Sequence, residues 1–179
     1  MSAVPFKMLT AENLLVPDPV TLSFSNELDL TTNEFRMMTR EEFLSYIFQP
    51  SIGEHVSDDV RRLFEAARGA LCYGFYFYPL FMLGFERACG AAEAAARSRA
   101  REFGANERTS FFGCVELLAK SGVLSAPQKA QWDAIRTIRN QAAHPKMQQI
   151  MMPGPCISML PVIAAAINDL CAAAPQLPV

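Results

Sequence analysis

An alanine-rich stretch between Pro79 and Gly104 constrains the fold more than any other part of this sequence. Its second half is dominated by alanines, namely Ala91, Ala92, Ala94, Ala95 and Ala96. Alanine has the highest helix propensity, and small side chains let a neighbouring helix approach closely. Pro79 suits the first turn of a helix, and Gly104 suits the stop after Phe103. The sequence therefore predicts a long helix from Pro79 through Phe103 at the centre of a bundle.

Start and stop signals predict further helices on both sides of this stretch. Thr39 and Glu42 have capping-box spacing, so a short helix is expected to begin there and to end before Pro50. Ser57 and the two acids after it predict a helix start near residue 58. Three more helices are expected further on: one over about 109–121 stopped by Gly122, one opened by Ser125-Ala126-Pro127-Gln128, and one over 157–173.

The first 38 residues have a different pattern, with Pro5, Pro17, Pro19 and a short alternating run over 20–24. This pattern predicts loops and one strand. We therefore expect an all-α fold, a compact helical bundle over 39–179, preceded by an extended or partly β segment over 1–38. A chain of 179 residues is long enough for one such domain with a hydrophobic core and too short for two domains with a core of that size.

Cysteine and hydropathy patterns indicate the compartment. The five cysteines are odd in number, have no CxxC spacing and lie mostly among apolar residues, so we expect neither a disulfide framework nor a zinc site. We also expect no cofactor and no other metal. The first residues lack the basic-then-apolar pattern of a signal peptide. Two uncharged runs, 69–85 and 147–168, approach spanning length, but Gly, Pro and Gln interrupt them, so we interpret both as buried helices. A cytoplasmic protein without a membrane segment is expected.

Charge is unevenly distributed along the chain. Residues 1–60 contain 3 basic and 10 acidic side chains, a formal charge of −7, whereas residues 61–146 contain 13 and 7, a formal charge of +6. A basic body is typical of a surface that faces nucleic acid, and an acidic extension could mask it. The alternative is that the acidic segment only keeps the protein soluble.

The chemically distinctive motif runs from Arg139 to His144, in the sequence Arg-Asn-Gln-Ala-Ala-His. Helical spacing puts one arc of apolar residues on this helix, namely Trp132, Ile135, Ile138 and Ala142. The adjacent polar arc consists of Arg136, Asn140 and His144, with Arg139 at its border. Pro145 disfavours α geometry at His144, so the imidazole is expected at the negative end of the helix dipole, which favours its protonated form.

These residue types match metal-free cleavage of RNA. His144 can move the proton of the ribose 2′-hydroxyl, and Arg139 can hold the charged phosphate bidentately. Asn140 can orient the imidazole or hold a phosphate or base edge. Arg136 and Lys146 flank the motif and are predicted to bind the substrate.

Structural interpretations of the same residues remain open. Arg139 could pair with Asp133 or Glu116, and His144 could cap the last carbonyls of its helix. Glu86 is a secondary candidate because it could contact Arg139 across the bundle, but a structural ion pair explains it equally well.

An Arg, a polar residue, three further residues and a His at a helix end resemble the motif of the HEPN superfamily. The sequence that precedes the motif also resembles that of bacterial members, in the segments Leu117-Leu118, Gly122-Val123-Leu124-Ser125 and Trp132-Asp133-Ala134-Ile135-Arg136. This resemblance covers roughly residues 80–146. It implies a HEPN-like bundle, a homodimer or heteromer, and often RNA cleavage in toxin–antitoxin or phage-defence systems, with Arg139, Asn140 and His144 as active residues.

The motif holds a single histidine, although acid–base cleavage is faster with two proton carriers. A homodimer with apposed motifs would supply both. We therefore predict a metal-independent endoribonuclease that acts on RNA as a homodimer, with an antitoxin or a larger defence complex as a further expected partner. The alternative is a noncatalytic HEPN-like interaction or regulatory subunit, since similar helices do not imply activity.

Overall fold

The computed structural model of the chain describes residues 6–24, 26–29, 31–142 and 153–173. Within them the protein is an α-helical bundle with a small two-stranded hairpin near the N-terminus, so the expected fold class is confirmed. The elements are α1 (Pro19–Phe24), β1 (Asn26–Asp29), β2 (Glu34–Met37), α2 (Arg40–Phe48), α3 (Asp58–Tyr73), α4 (Leu80–Arg101), α5 (Phe111–Lys120), α6 (Ala126–Ala142) and α7 (Pro153–Ala172). The strands are antiparallel, with Asn26 opposite Met37.

Helix α4 is the central helix, as its alanines predict, and it packs against α3, α5, α6 and α7. Its buried small residues include Ala88, Ala91, Ala92, Ala95, Ala96 and Ala100. Because these side chains are short, four neighbours can approach one helix. The helix ends at Arg101, two residues before the predicted end, and Gly104 follows with a φ of 96°. Glycine adopts this left-handed conformation at no steric cost, which makes it the usual residue after a helix.

The starts of α2 and α3 lie where the sequence predicts them, but a side-chain capping bond is present at α2 alone of the two. Thr39 and Glu42 form the predicted capping box of α2: the Thr39 hydroxyl accepts from the Glu42 amide, and the Glu42 carboxylate accepts from the Thr39 amide. Hydrogen bonds from Arg36 lower the pKa of Glu42 to about 2, so the carboxylate of the cap stays charged in mild acid as well as at neutral pH. Helix α3 begins at Asp58 as predicted, although the Ser57 side chain makes no capping bond.

The strand predicted over Val20–Phe24 is wrong, because this segment is helix α1. Asp18 precedes it and its carboxylate accepts a hydrogen bond from the Val20 amide at 2.9 Å, as an N-cap does. Pro19 occupies the first helical position, where no amide hydrogen is needed. These two signals outweigh the five-residue alternation.

The segment around α1 docks on the connection between α3 and α4. The Asp18 carboxylate is buried and accepts from the Tyr78 amide at 2.8 Å, and the Thr21 hydroxyl donates to the Gly74 carbonyl at 2.9 Å. Lys7 donates to the Tyr76 carbonyl at 2.7 Å. The N-terminal segment is therefore tied to the bundle by buried and part-buried polar contacts.

Helix α7 begins at Pro153, four residues before the predicted start, and continues through Pro161. It is the one helix within the described ranges that is long and apolar enough to cross a membrane by length and composition alone. Its buried residues, among them Leu160, Ile163 and Ile167, belong to the bundle core, and the helix packs on α4.

The five cysteines are free thiols. Burial raises the pKa of Cys89 and of Cys156 to about 12. Both thiols therefore stay protonated at neutral pH, and neither is an activated nucleophile.

Candidate functional site

The motif helix α6 is fixed in the bundle by its apolar arc. Trp132 and Ile135 are buried, and Ile138 is partly buried against the core, as the helical spacing predicts. Trp132 meets Phe111 of α5 edge to face, with ring centroids 6.3 Å apart. The N-terminal end is held by Gln128, whose side-chain oxygen accepts from the Ser125 amide at 2.9 Å, one of the two hydrogen bonds of a capping box. Helix α6 thus carries its polar arc in a fixed orientation.

Arg139 forms an ion pair with Glu93 of the central helix, with 3.0 Å between Arg139 Nη2 and Glu93 Oε2. The Glu93 side chain is 15% exposed and the Arg139 side chain 40% exposed. The pair therefore joins a largely buried carboxylate to a cation that still faces solvent.

The same carboxylate binds a second arginine with its other oxygen. Glu93 Oε1 accepts from Arg97 Nε at 2.9 Å and from Arg97 Nη2 at 2.7 Å. Arg97 also donates to the carbonyl of Thr109, just before α5. A continuous polar network therefore links α6, α4 and the start of α5, with Glu93 at its centre.

The alternative partners of Arg139 considered from the sequence are wrong. Asp133 and Glu116 both pair with Lys129, at 2.8 and 2.6 Å. Asp133 also accepts from Arg136. Glu93 was missed as the partner because only the crossing of α6 over α4 brings it to Arg139.

Arg136 and Asn140, two further predicted site residues, have different surroundings. The Arg136 guanidinium lies over the Phe112 ring at 5.2 Å from its centroid and contacts Asp133 at 3.3 Å. Asn140 is exposed, and its side-chain oxygen is 3.4 Å from Arg139 Nη1. The predicted roles of these two residues in binding and positioning stay predictions. His144 and Lys146 lie outside the described residues.

A cavity of about 540 Å³ opens beside Arg139. Residues of α3, α4 and α6 line the cavity. They are Ala66, Ala70, Leu80, Leu83, Glu86, Arg87, Gly90 and Arg139. Glu86 and Arg139 therefore line one cavity, as expected if they face each other across the bundle. Among the described ion pairs, however, that of Arg139 is with Glu93 and not with Glu86.

Cys89 lies one helical turn before Glu93, near enough to Arg139 for the cation to act on the pKa of its thiol. Burial outweighs this effect and raises that pKa. No group of three His, Cys, Asp or Glu side chains is placed to hold a metal ion in the described part of the chain. The groups that the described site offers are therefore cations, carboxylates and an amide.

We expect the Glu93→Gln substitution to lower the free energy of unfolding by about 1–3 kcal/mol, because two guanidinium groups lose a charged acceptor. Chemical denaturation measures this change. Glu107→Gln, on an exposed loop before α5, is the matched control and should change stability by less than about 0.5 kcal/mol. Equal stability of both variants would contradict a central role of Glu93.

Comparison of the chain with protein-family models, with curated proteins and with solved structures finds no match.

Proposed function

We propose that this protein is a metal-independent endoribonuclease of HEPN type that acts with Arg139 and His144. The observation that carries the proposal is the setting of Arg139. Its guanidinium pairs with Glu93, yet the Arg139 side chain is 40% exposed and lines an open cavity. A preorganised, solvent-facing guanidinium is suited to hold a phosphate whose charge increases during reaction.

The proposed reaction is a transfer within the RNA. The ribose 2′-oxygen attacks the adjacent phosphorus, its proton goes to a His144 imidazole, and the bond to the 5′-oxygen breaks. The leaving 5′-oxygen takes a proton from an imidazolium, and the products carry a 2′,3′-cyclic phosphate and a 5′-hydroxyl. Arg139 stabilises the charge on the nonbridging oxygens.

The described contacts of Arg139 leave N–H donors of its guanidinium available to bind a phosphate. Within the described part of the chain, Arg139 forms an ion pair with Glu93 and one hydrogen bond to Asn140. A guanidinium has five N–H donors, so these contacts do not use all of them. The Glu93 contact limits side-chain rotation, so less rotamer freedom is lost when a phosphate binds. Glu93 is thus proposed as a positioning residue for Arg139.

A homodimer with apposed motifs is part of the proposal, because one motif supplies one histidine and the reaction uses both an acid and a base. We also propose a cytoplasmic toxin or phage-defence setting, in which an antitoxin or a larger complex controls the activity. The basic charge of residues 61–146 supports RNA as the substrate class.

A second candidate function is a noncatalytic HEPN-like interaction or regulatory subunit. The observation that favours it is the sharing of Glu93 between Arg97 and Arg139. A cation that links two helices has a structural role even without a substrate. In that case, loss of Arg139 would change only stability or partner binding.

The test is cleavage of RNA by the purified full chain in the presence of EDTA, beside His144→Ala. Circular dichroism of both proteins checks their folding. We expect the wild type to cleave and the folded variant to lose at least about 100-fold in rate, since general acid–base catalysis contributes about 10²–10⁴. Equal cleavage by both proteins, or none by either, would contradict the proposal and favour the noncatalytic subunit.

A further inference from the structure

The cavity beside Arg139 is built like a ligand site. Its volume of about 540 Å³ lies within the range of small-molecule sites, about 300–1,000 Å³. Part of the cavity wall has little or no side chain, because it consists of Ala66, Ala70 and Gly90. Leu80 and Leu83 add apolar surface. Such a wall accepts a flat, apolar ring face.

The cavity is open in front of Gly90. A Cβ atom built at Gly90 meets no atom within 4 Å, so the space in front of it is open. Gly90 also lies one helical turn after Glu86, and residues spaced by four share a face of a helix. The open surface and the Glu86 carboxylate therefore adjoin.

The charged side chains that line the cavity determine which groups a ligand must carry. Arg139 and the exposed Arg87 supply positive charge for a phosphate, and Glu86 supplies a carboxylate. A carboxylate accepts hydrogen bonds with two oxygens side by side and donates none. The complementary ligand has a flat ring, a phosphate, and two adjacent N–H donors.

We propose that this cavity is a guanine-binding subsite for the nucleotide at the cleaved phosphate, with the Glu86 carboxylate accepting from guanine N1–H and N2–H. The inference rests on the proposed ribonuclease function and adds a base preference to it. Among the four bases, guanine presents two adjacent donors on its Watson–Crick edge. Adenine, cytosine and uracil each place an acceptor beside their donor, which would face a carboxylate oxygen.

Nucleotide binding tests the subsite without relying on cleavage. Calorimetry in EDTA compares 3′-GMP, 3′-AMP, 3′-CMP and 3′-UMP on the full chain. We expect 3′-GMP to bind about tenfold or more tightly than the others, the discrimination typical of a bidentate contact. Glu86→Gln should remove this preference, because the amide replaces one acceptor with a donor.

Filling the cavity provides a second variant. Gly90→Leu should weaken 3′-GMP binding by at least about tenfold, since leucine favours helix but occupies the open space. Gly69→Leu is the matched control: Gly69 is also helical and unobstructed, but it lies on α3 and lines a different cavity. Its binding of 3′-GMP should match that of the wild type.

The outcomes separate this inference from the proposed function. Selective binding of 3′-GMP that Glu86→Gln and Gly90→Leu abolish supports the subsite even if RNA is not cleaved, and then only the ribonuclease proposal fails. RNA cleavage with equal binding of the four nucleotides overturns the subsite alone. No 3′-GMP binding at about 10 mM, or a cavity covered by a second copy of the chain, also overturns the subsite.

Discussion

Arg139→Ala is expected to lower the rate of RNA cleavage by about 10³-fold. A guanidinium that stabilises charge on a transferring phosphoryl group contributes about 10²–10⁵ in rate. Arg139→Lys keeps the charge but loses the planar fork, so it should recover only part of the activity. Single-turnover cleavage with EDTA measures these rates.

The control for this experiment is Arg62→Ala, which removes the same charge from an exposed position on α3. It should retain most of the activity. A structural role of Arg139 alone predicts a different pattern, in which Arg139→Ala is less stable than the wild type but equally active once folded. That result would show that Arg139 only stabilises the fold, through its ion pair with Glu93.

Trp132→Ala should lower the free energy of unfolding by about 3–5 kcal/mol, the largest effect on stability that we predict. The indole is 2% exposed and meets Phe111 edge to face, so its removal leaves a cavity between α5 and α6. Because α6 carries Arg139, the loss should also loosen the motif. Urea denaturation measures the change through the midpoint and slope.

Ala130→Ser is the matched control for Trp132→Ala, because Ala130 is exposed on the same helix. It should change stability by less than about 0.5 kcal/mol. A loss below about 1 kcal/mol for Trp132→Ala would show that α6 is not held to the bundle by its apolar arc.

Most helix boundaries could be predicted because their signals are local. The capping box of Thr39 and Glu42 uses residues three apart, and Gly104 and Gly122 take the positive φ angles that stop helices. The same kind of signal, Asp18 before Pro19, marks the start of helix α1, and this local signal outweighs the alternating pattern over 20–24.

The partner of Arg139 could not be predicted in the same way. Glu93 lies far from Arg139 in sequence, and the pair depends on how α6 crosses α4. Nearer acids, Asp133 and Glu116, are more obvious partners from the sequence, but Lys129 binds both. Pairing across a helix crossing is a tertiary property, and the order of residues along one helix does not contain it.

The most direct measurement of the central claim compares an RNA oligonucleotide with its 2′-O-methyl counterpart, in EDTA, with the ends of the products identified. The account predicts that the unmodified RNA is cleaved and the 2′-O-methyl strand is not. The products should carry 2′,3′-cyclic phosphate ends, and Arg139→Ala should not form these products. Cleavage of the 2′-O-methyl strand, or products with 3′-hydroxyl ends, would contradict attack by the 2′-oxygen and with it the proposed ribonuclease mechanism.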